Sequence, residues 1–149
     1  MSRPLSNPMT TFPEKFRLDG RTALITGSAR GLGWEMAKGL AEAGARILLH
    51  GRMPDRVAGR VDELRAAGRP CDAVCFEMAD RAAMATSLST AGPIDILIHN
   101  VGERDRRAFL DIEPEAFARL IDVDLTAAHA LVRHVLPGMI ERKWGRPWP

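Results

Sequence analysis

Thr26, Gly27, Ser28, Ala29, Arg30, Gly31, Leu32 and Gly33 form a turn whose composition suits either holding phosphate or a tight turn with no ligand. Glycine lets the chain turn tightly and lets backbone approach a pyrophosphate with no Cβ in the way. A helix opening at such a turn offers unpaired N–H groups and the positive end of its dipole to the phosphate oxygens. The spacing is G-x-x-x-G-x-G, and no Walker lysine follows it. Downstream, His50, Gly51 and Arg52 follow a second apolar run with no acid among them.

The elements that must position these residues are legible as alternation. From Phe16 onward, short apolar runs alternate with segments of helical period, the pattern of βαβ units around a parallel sheet. Strands are expected at Thr22–Ile25, Arg46–Leu49, Ala73–Phe76 and Ile94–Ile98. The last is a continuous apolar run suited to burial on both faces. Between them, Leu32, Met36 and Leu40 recur at four-residue spacing before Gly44. Val57, Val61 and Leu64 share a face of a second helix over 55–67, and Asp80 can cap a short third helix. A long helical stretch follows Pro114 at mixed three- and four-residue steps, and Pro137 should kink or end it. The expected fold is α/β, a Rossmann-type doubly wound parallel sheet truncated after the fourth strand and the following helices. The terminal W-G-R-P-W-P cannot supply the ladder donors of a central strand.

Composition bounds the partners. The 149 residues, 46% hydrophobic and 27% charged, suit one domain, and a net charge of +2 argues against a nucleic-acid or membrane surface. The basic cluster Arg104, Arg106 and Arg107 is interrupted by Asp105, lacks interleaved aromatics and reads as a solvated loop. Cys71 and Cys75, without a nearby His, read as reduced thiols on a strand rather than a metal site. Residues 1–15, punctuated by Pro4, Pro8 and Pro13, have no apolar signal-peptide core and read as a disordered tail before a domain over 16–149. A cytoplasmic protein follows.

T-G-S-A-R-G-L-G resembles the T-G-x-x-x-G-x-G signature of the short-chain dehydrogenase/reductases, which bind NAD or NADP on a Rossmann sheet. Gly92, Pro93, Ile94, Asp95 and Ile96 to Gly102 resemble the family's G-x-x-D-x-L-V-N-N-A-G, with His99 and Val101 in place of Asn and Ala. The resemblance runs from about residue 16 to 146. It implies cofactor contacts at Gly27, Ser28, Arg30, Gly31, Leu32, Gly33, Arg52, Asn100, Val101 and Gly102, with Glu77 and Met78 beside the adenine. The residue after the second strand selects the cofactor, since an acid accepts from the ribose hydroxyls of NAD and a cation meets the 2′-phosphate of NADP. With Arg30 and Arg52 present and the acid missing, NADP is expected over NAD. G-A-R-I-L-L-H-G-R is most similar to the branch related to gluconate 5-dehydrogenases.

The family's reaction is hydride transfer between the nicotinamide cofactor and a carbonyl or alcohol, with a Tyr as proton donor aided by Lys, Ser and Asn. This sequence has no Tyr, its lysines Lys15, Lys38 and Lys143 stand in no Y-x-x-x-K context, and no Ser follows Ser89. Asp124, in V-D-L-T, stands where the family's catalytic Asn would be, and a carboxylate cannot donate as an amide does. His50, His99, His129 and His134 read as satisfied structural histidines. The expectation is therefore the NADP-binding portion of a reductase, inactive as written, with a premature stop, a frameshift or a fragment as its origin. The alternative is a non-catalytic nucleotide-binding or interaction module. With strand order 3-2-1-4-5-6-7 implied, a bare fourth strand and exposed Leu131, Val132 and Val135 should also promote self-association.

Overall fold

A computed structural model describes residues 14–148. Five parallel strands lie in the order β3-β2-β1-β4-β5: β1 Thr22–Ile25, β2 Arg46–Gly51, β3 Cys71–Cys75, β4 Ile96–Ile98 and β5 Arg146–Trp148. The helices are α1 Gly31–Glu42, α2 Pro54–Ala66, α3 Arg81–Ser89, α4 Pro114–Ile121 and α5 Ala127–Glu141. A π turn over Asp122–Thr126 joins the last two. Glu14 and Lys15, at the end of the expected tail, form a 3-10 turn with Phe16; residues 1–13 of that tail lie outside the described residues.

The sheet is doubly wound because its strands are apolar on both faces. Ala23, Ile25, Ile47, Leu49 and Ile96 point to one side and pack with Trp34, Ala37 and Ala41 of α1 and Val57, Val61 and Leu64 of α2. Leu24, Leu48, Val74 and Leu97 point to the other and pack with Met84 and Leu88 of α3 and Leu131, Val135 and Met139 of α5. Buried Asp95 ties the sheet at its lower end, where one carboxylate oxygen accepts from the Thr22 N–H at 3.0 Å. Its other oxygen meets Arg142 at 3.3 Å. Asp80 caps α3 by accepting from the Ala83 N–H at 2.9 Å.

Four expectations are corrected. The fourth strand is not a bare edge: β5 pairs with β4 from Ile96↔Arg146 to Ile98↔Trp148. Among the described residues β5 ends the strand order, and a strand at that position can accommodate a proline that a central strand would not. Pro137 does not end the stretch: it sits inside α5, which runs on to Glu141. The fully buried face of α1 is Gly33, Trp34, Ala37 and Ala41, with Met36 and Leu40 packed partly buried beside it and Leu32 exposed; small residues let the helix lie close to the sheet. Leu131 and Val135 are buried and Val132 partly so. The exposed apolar side chains cluster instead at Phe109, Leu110, Phe117, Ile121 and Leu125, before and within the π turn, with Phe16, Leu32, Met53 and Ile140 exposed elsewhere.

Candidate functional site

The strand ends of β1, β2 and β4 converge on one crevice. Gly27 and Gly31 adopt positive φ of 65° and 57°, which a side chain would strain. Gly33 is required for space: a Cβ there would stand 2.6 Å from the Asn100 side-chain nitrogen and from the Gly27 carbonyl oxygen. Buried Thr26 stitches the turn to β4. Its Oγ1 accepts from the N–H groups of Asn100 at 2.9 Å and Val101 at 3.1 Å. The Asn100 amide returns the favour, donating to the Thr26 carbonyl at 3.1 Å.

On the other flank, β2 grips the turn through His50 and Ser28. The Ser28 N–H donates to the His50 carbonyl at 3.0 Å, and the His50 N–H donates to Ser28 Oγ at 2.9 Å. The imidazole reaches further, accepting from the Gly27 N–H at 3.1 Å through Nδ1. Burial pushes this ring down to about 4, so it is neutral at physiological pH. Gly51 follows because a Cβ there would stand 2.7 Å from the Val57 side chain.

These contacts frame a cavity of about 650 Å³. Of the residues expected to hold a cofactor, Gly27, Arg30, Gly31, Arg52, Glu77, Met78, Asn100, Val101 and Gly102 line it. Ser28 is fully buried with its hydroxyl turned inward, Gly33 lies beneath the turn, and the Leu32 side chain points to solvent outside the cavity. Ala29 of the turn, His50 and Gly51 of β2 and Val57 of α2 also line it, together with Met53, Arg56, Arg60, Glu103 and Val123, which carry no sequence signal for the site. Arg60 lies over the Trp34 ring at 4.6 Å and donates to the Ala29 carbonyl at 3.3 Å, which clasps α2 to the turn. Arg52 pairs with Glu77 at 3.2 Å, and the second Glu77 oxygen accepts from the Met78 N–H at 3.0 Å.

The far end of the crevice is built differently. Asp124 is exposed on the π turn, and its Oδ1 accepts from the Glu103 N–H at 2.8 Å, pinning the loop that leaves β4. Gly102 faces the same carboxylate, 3.6 Å from where its Cβ would be. His99 corrects the expectation of satisfied histidines. Its Nδ1 lies 3.3 Å from Thr26 Oγ1, while its Nε2 is enclosed without a hydrogen-bond partner among the described residues. His129 and His134 are exposed on α5. The basic cluster is a solvated loop in which Arg107 holds the Asp105 carboxyl down at about 2. Cys71 and Cys75 are free thiols at the two ends of β3, and burial pushes Cys71 up to about 12. Among the described residues, no group of three His, Cys, Asp or Glu could hold a metal ion, and no helix is long and apolar enough to cross a membrane.

Residues 21–146 match the profile of the short chain dehydrogenase family. The chain is 37% identical over 136 residues to the 2-dehydro-3-deoxy-D-gluconate 5-dehydrogenase of Formosa agariphila, covering 88% of this chain and 52% of that protein. Among solved structures it is similar to a gluconate 5-dehydrogenase from Burkholderia cenocepacia in complex with NADP and tartrate. That match has 37% identity and a TM-score of 0.83 over 89% of this chain and 53% of the other. It is also similar to a 3-oxoacyl (acyl-carrier-protein) reductase from Agrobacterium tumefaciens with NADP bound, at 31% identity and a TM-score of 0.83, covering 94% and 56%. The chain thus spans about half the length of the relatives it matches.

Proposed function

This chain belongs to the short-chain dehydrogenase family, and on that premise we propose that it carries the NADP-binding half of a reductase acting on a sugar acid or similar carbonyl compound. The observation that carries the reading is the glycine turn, held by Thr26, His50 and Asn100 so that the first turn of α1 opens on a cavity rimmed by Arg30, Arg52 and Arg56. The donor set fits the group: backbone N–H at a helix N-terminus suits a pyrophosphate, and guanidinium suits a 2′-phosphate that an acid would repel. A cavity of about 650 Å³ is of the size that small-molecule sites have. The two relatives named with NADP bound support the same preference.

When bound, NADPH supplies hydride; every other requirement falls on the protein. Here Gly27, Gly31 and Gly33 admit the pyrophosphate, Arg30 and Arg52 meet the 2′-phosphate, and Glu77 and Met78 stand at the adenine. Leu32 and Ser28 act through the backbone of the turn. At the nicotinamide end Asn100, Val101 and Gly102 leave β4, and Asp124 accepts rather than donates. Without Tyr, a paired Lys or a Ser after residue 89, nothing protonates a carbonyl oxygen, and the sequence as written binds without turning over. That also makes a non-catalytic nucleotide-binding module the second reading, favoured by Asp124. The free thiols Cys71 and Cys75 fit a reducing compartment, the cytoplasm. The exposed Phe109, Leu110, Phe117, Ile121 and Leu125 fit self-association.

Calorimetric titration with NADPH tests the reading. It expects saturable binding of one dinucleotide per chain, and Gly31→Asp, which puts a carboxylate at the phosphate, abolishes it. A folded chain to which NADPH does not bind would overturn the proposal.

A further inference from the structure

We infer that His50 is a positioning residue for the phosphate turn, acting as a neutral imidazole that accepts from the Gly27 N–H and so aims the remaining turn amides at the dinucleotide. The inference rests on the NADP-binding reading, and goes beyond it by assigning a role to a side chain outside the glycine motif.

Four atoms of one residue engage the site. The His50 N–H donates to Ser28 Oγ at 2.9 Å and the His50 carbonyl accepts from the Ser28 N–H at 3.0 Å, contacts the backbone of any non-proline residue could make. The ring adds what only its chemistry provides. The Gly27 N–H donates to Nδ1 at 3.1 Å, so Nδ1 is unprotonated and Nε2 carries the proton, which it donates to the Phe76 carbonyl at 3.1 Å. The ring is almost wholly buried, lying 4.2 Å from the Phe76 ring, and it links three strand ends: β1 through Gly27, β2 through its own backbone and β3 through Phe76.

Without Nδ1, the Gly27 N–H is a donor with no acceptor at the base of the turn, and the turn relaxes toward another partner. Gly27 has little room to do so quietly, since its Cα lies against Val101 and Asn100 closely enough that an added Cβ would stand 2.9 Å and 3.3 Å from their side chains. A displaced Gly27 therefore disturbs both the phosphate turn and the exit of β4. A second proton on the ring has the same effect, because Nδ1–H would confront Gly27 N–H. Burial opposes that proton, His99 from the end of β4 also opposes it, and Glu77 from beyond β3 favours it; Arg52 stands two residues along the same chain. The neutral Nε2–H form is the one the site is built around.

Three measurements on the full chain test this. Nitrogen-15 NMR of the histidines is expected to show His50 as the neutral Nε2–H tautomer at pH 7, with a midpoint well below the ordinary histidine value and lower still once NADP⁺ is added. Titration with NADP⁺ is expected to give a Kd for His50→Leu weaker by at least about tenfold, as befits a buried donor left without a partner. His50→Asn, which returns an acceptor oxygen to Gly27 without a titrating ring, is expected to stay within about threefold of wild type, by the same accounting. A protonated or Nδ1–H ring at pH 7, or a folded Leu variant that binds NADP⁺ as wild type does, would overturn the role. If His50→Leu does not fold, the tautomer and the Asn comparison decide, with loss of binding in a folded Asn variant counting against the role. A wild-type chain that binds no NADP⁺ at all overturns the proposed function instead, and leaves the tautomer measurement standing.

Discussion

The two ends of the crevice obey different physics. At the phosphate end, Gly27, Ser28, Asn100, Thr26 and His50 satisfy one another through part-buried or buried hydrogen bonds of ordinary length, and glycine is dictated by φ or by space at Gly27, Gly31 and Gly33. At the far end, Asp124 is exposed, His99 Nε2 is unpartnered among the described residues, and Phe117, Ile121 and Leu125 face solvent around a π turn. Such turns mark functional sites more often than chance, because they cost helix stability that packing must offset. The lesson is that the two ends draw on different residues: those of the phosphate turn are locked by one another, whereas Asp124 and His99 at the far end are not.

The largest expected effect breaks the comparison at its reacting end. Turnover of NADPH with sugar acids, polyols or ketones, followed by absorbance, is expected at the protein-free rate, since a positioned acid alone commonly contributes about 10² to 10⁴-fold. Consumption abolished by Asp124→Ala would mean the far end is catalytic after all.

Glycine substitutions set the two ends side by side. Gly33→Ala drives a Cβ to 2.6 Å from the Gly27 carbonyl and is expected to cost about 1–3 kcal/mol of stability and to abolish NADPH binding. Gly102→Ala meets only ordinary contact at 3.6 Å and is expected to leave melting within about 0.5 kcal/mol of wild type. Thermal unfolding of both variants checks the asymmetry; equal losses would dissolve it.

Acid should act at the phosphate end first. His50 is held near 4 in the fold and titrates near 6.5 when unfolded. The unfolded chain therefore takes up the proton between those values, and its contribution to stability, present above pH 6.5, is lost as pH falls toward 4. The difference amounts to about 3 kcal/mol. Urea midpoints measured from pH 7 to 4.5 should fall, and should fall less in His50→Asn.

The smallest effect concerns Glu77. Its carboxylate engages both Arg52 and the Met78 N–H, donors that the 2′-phosphate and adenine would otherwise meet. Because the pair is exposed it contributes little, so Glu77→Gln is expected to tighten NADPH by only about two- to fivefold. Weaker binding would make Glu77 a direct adenine contact.

How much of this was legible in sequence depends on whether a residue's identity or its neighbourhood decides its role. The turn from Thr26 to Gly33 was legible because only glycine meets those backbone demands, and the parallel sheet because its strands are apolar on both faces. The core face of α1 was not, since Ala37 and Ala41 carry little hydrophobic signal beside Leu32 and Leu40. The π turn hid inside what reads as one long helix, and by shifting its phase it exposed Phe117, Ile121 and Leu125 while burying Leu131 and Val135. β5 is not legible because Pro147 argues against a central strand, while among the described residues it lies at the end of the strand order. His50 carries no signal of its own; its place depends on β2 running beside β1 in register.

The central claim is that arginine at the end of a complete phosphate site selects NADP in a chain that need not react with it. Dissociation constants for NADPH and NADH, measured by calorimetry on wild type and on the Arg30→Ala, Arg52→Ala double variant, test it most directly. The expected result is NADPH bound at least about tenfold more tightly by wild type, with the preference collapsing in the variant while NADH affinity holds, as the loss of charge-assisted bonds to a phosphate implies. Equal affinities in wild type, or a preference that survives loss of both arginines, would contradict the account.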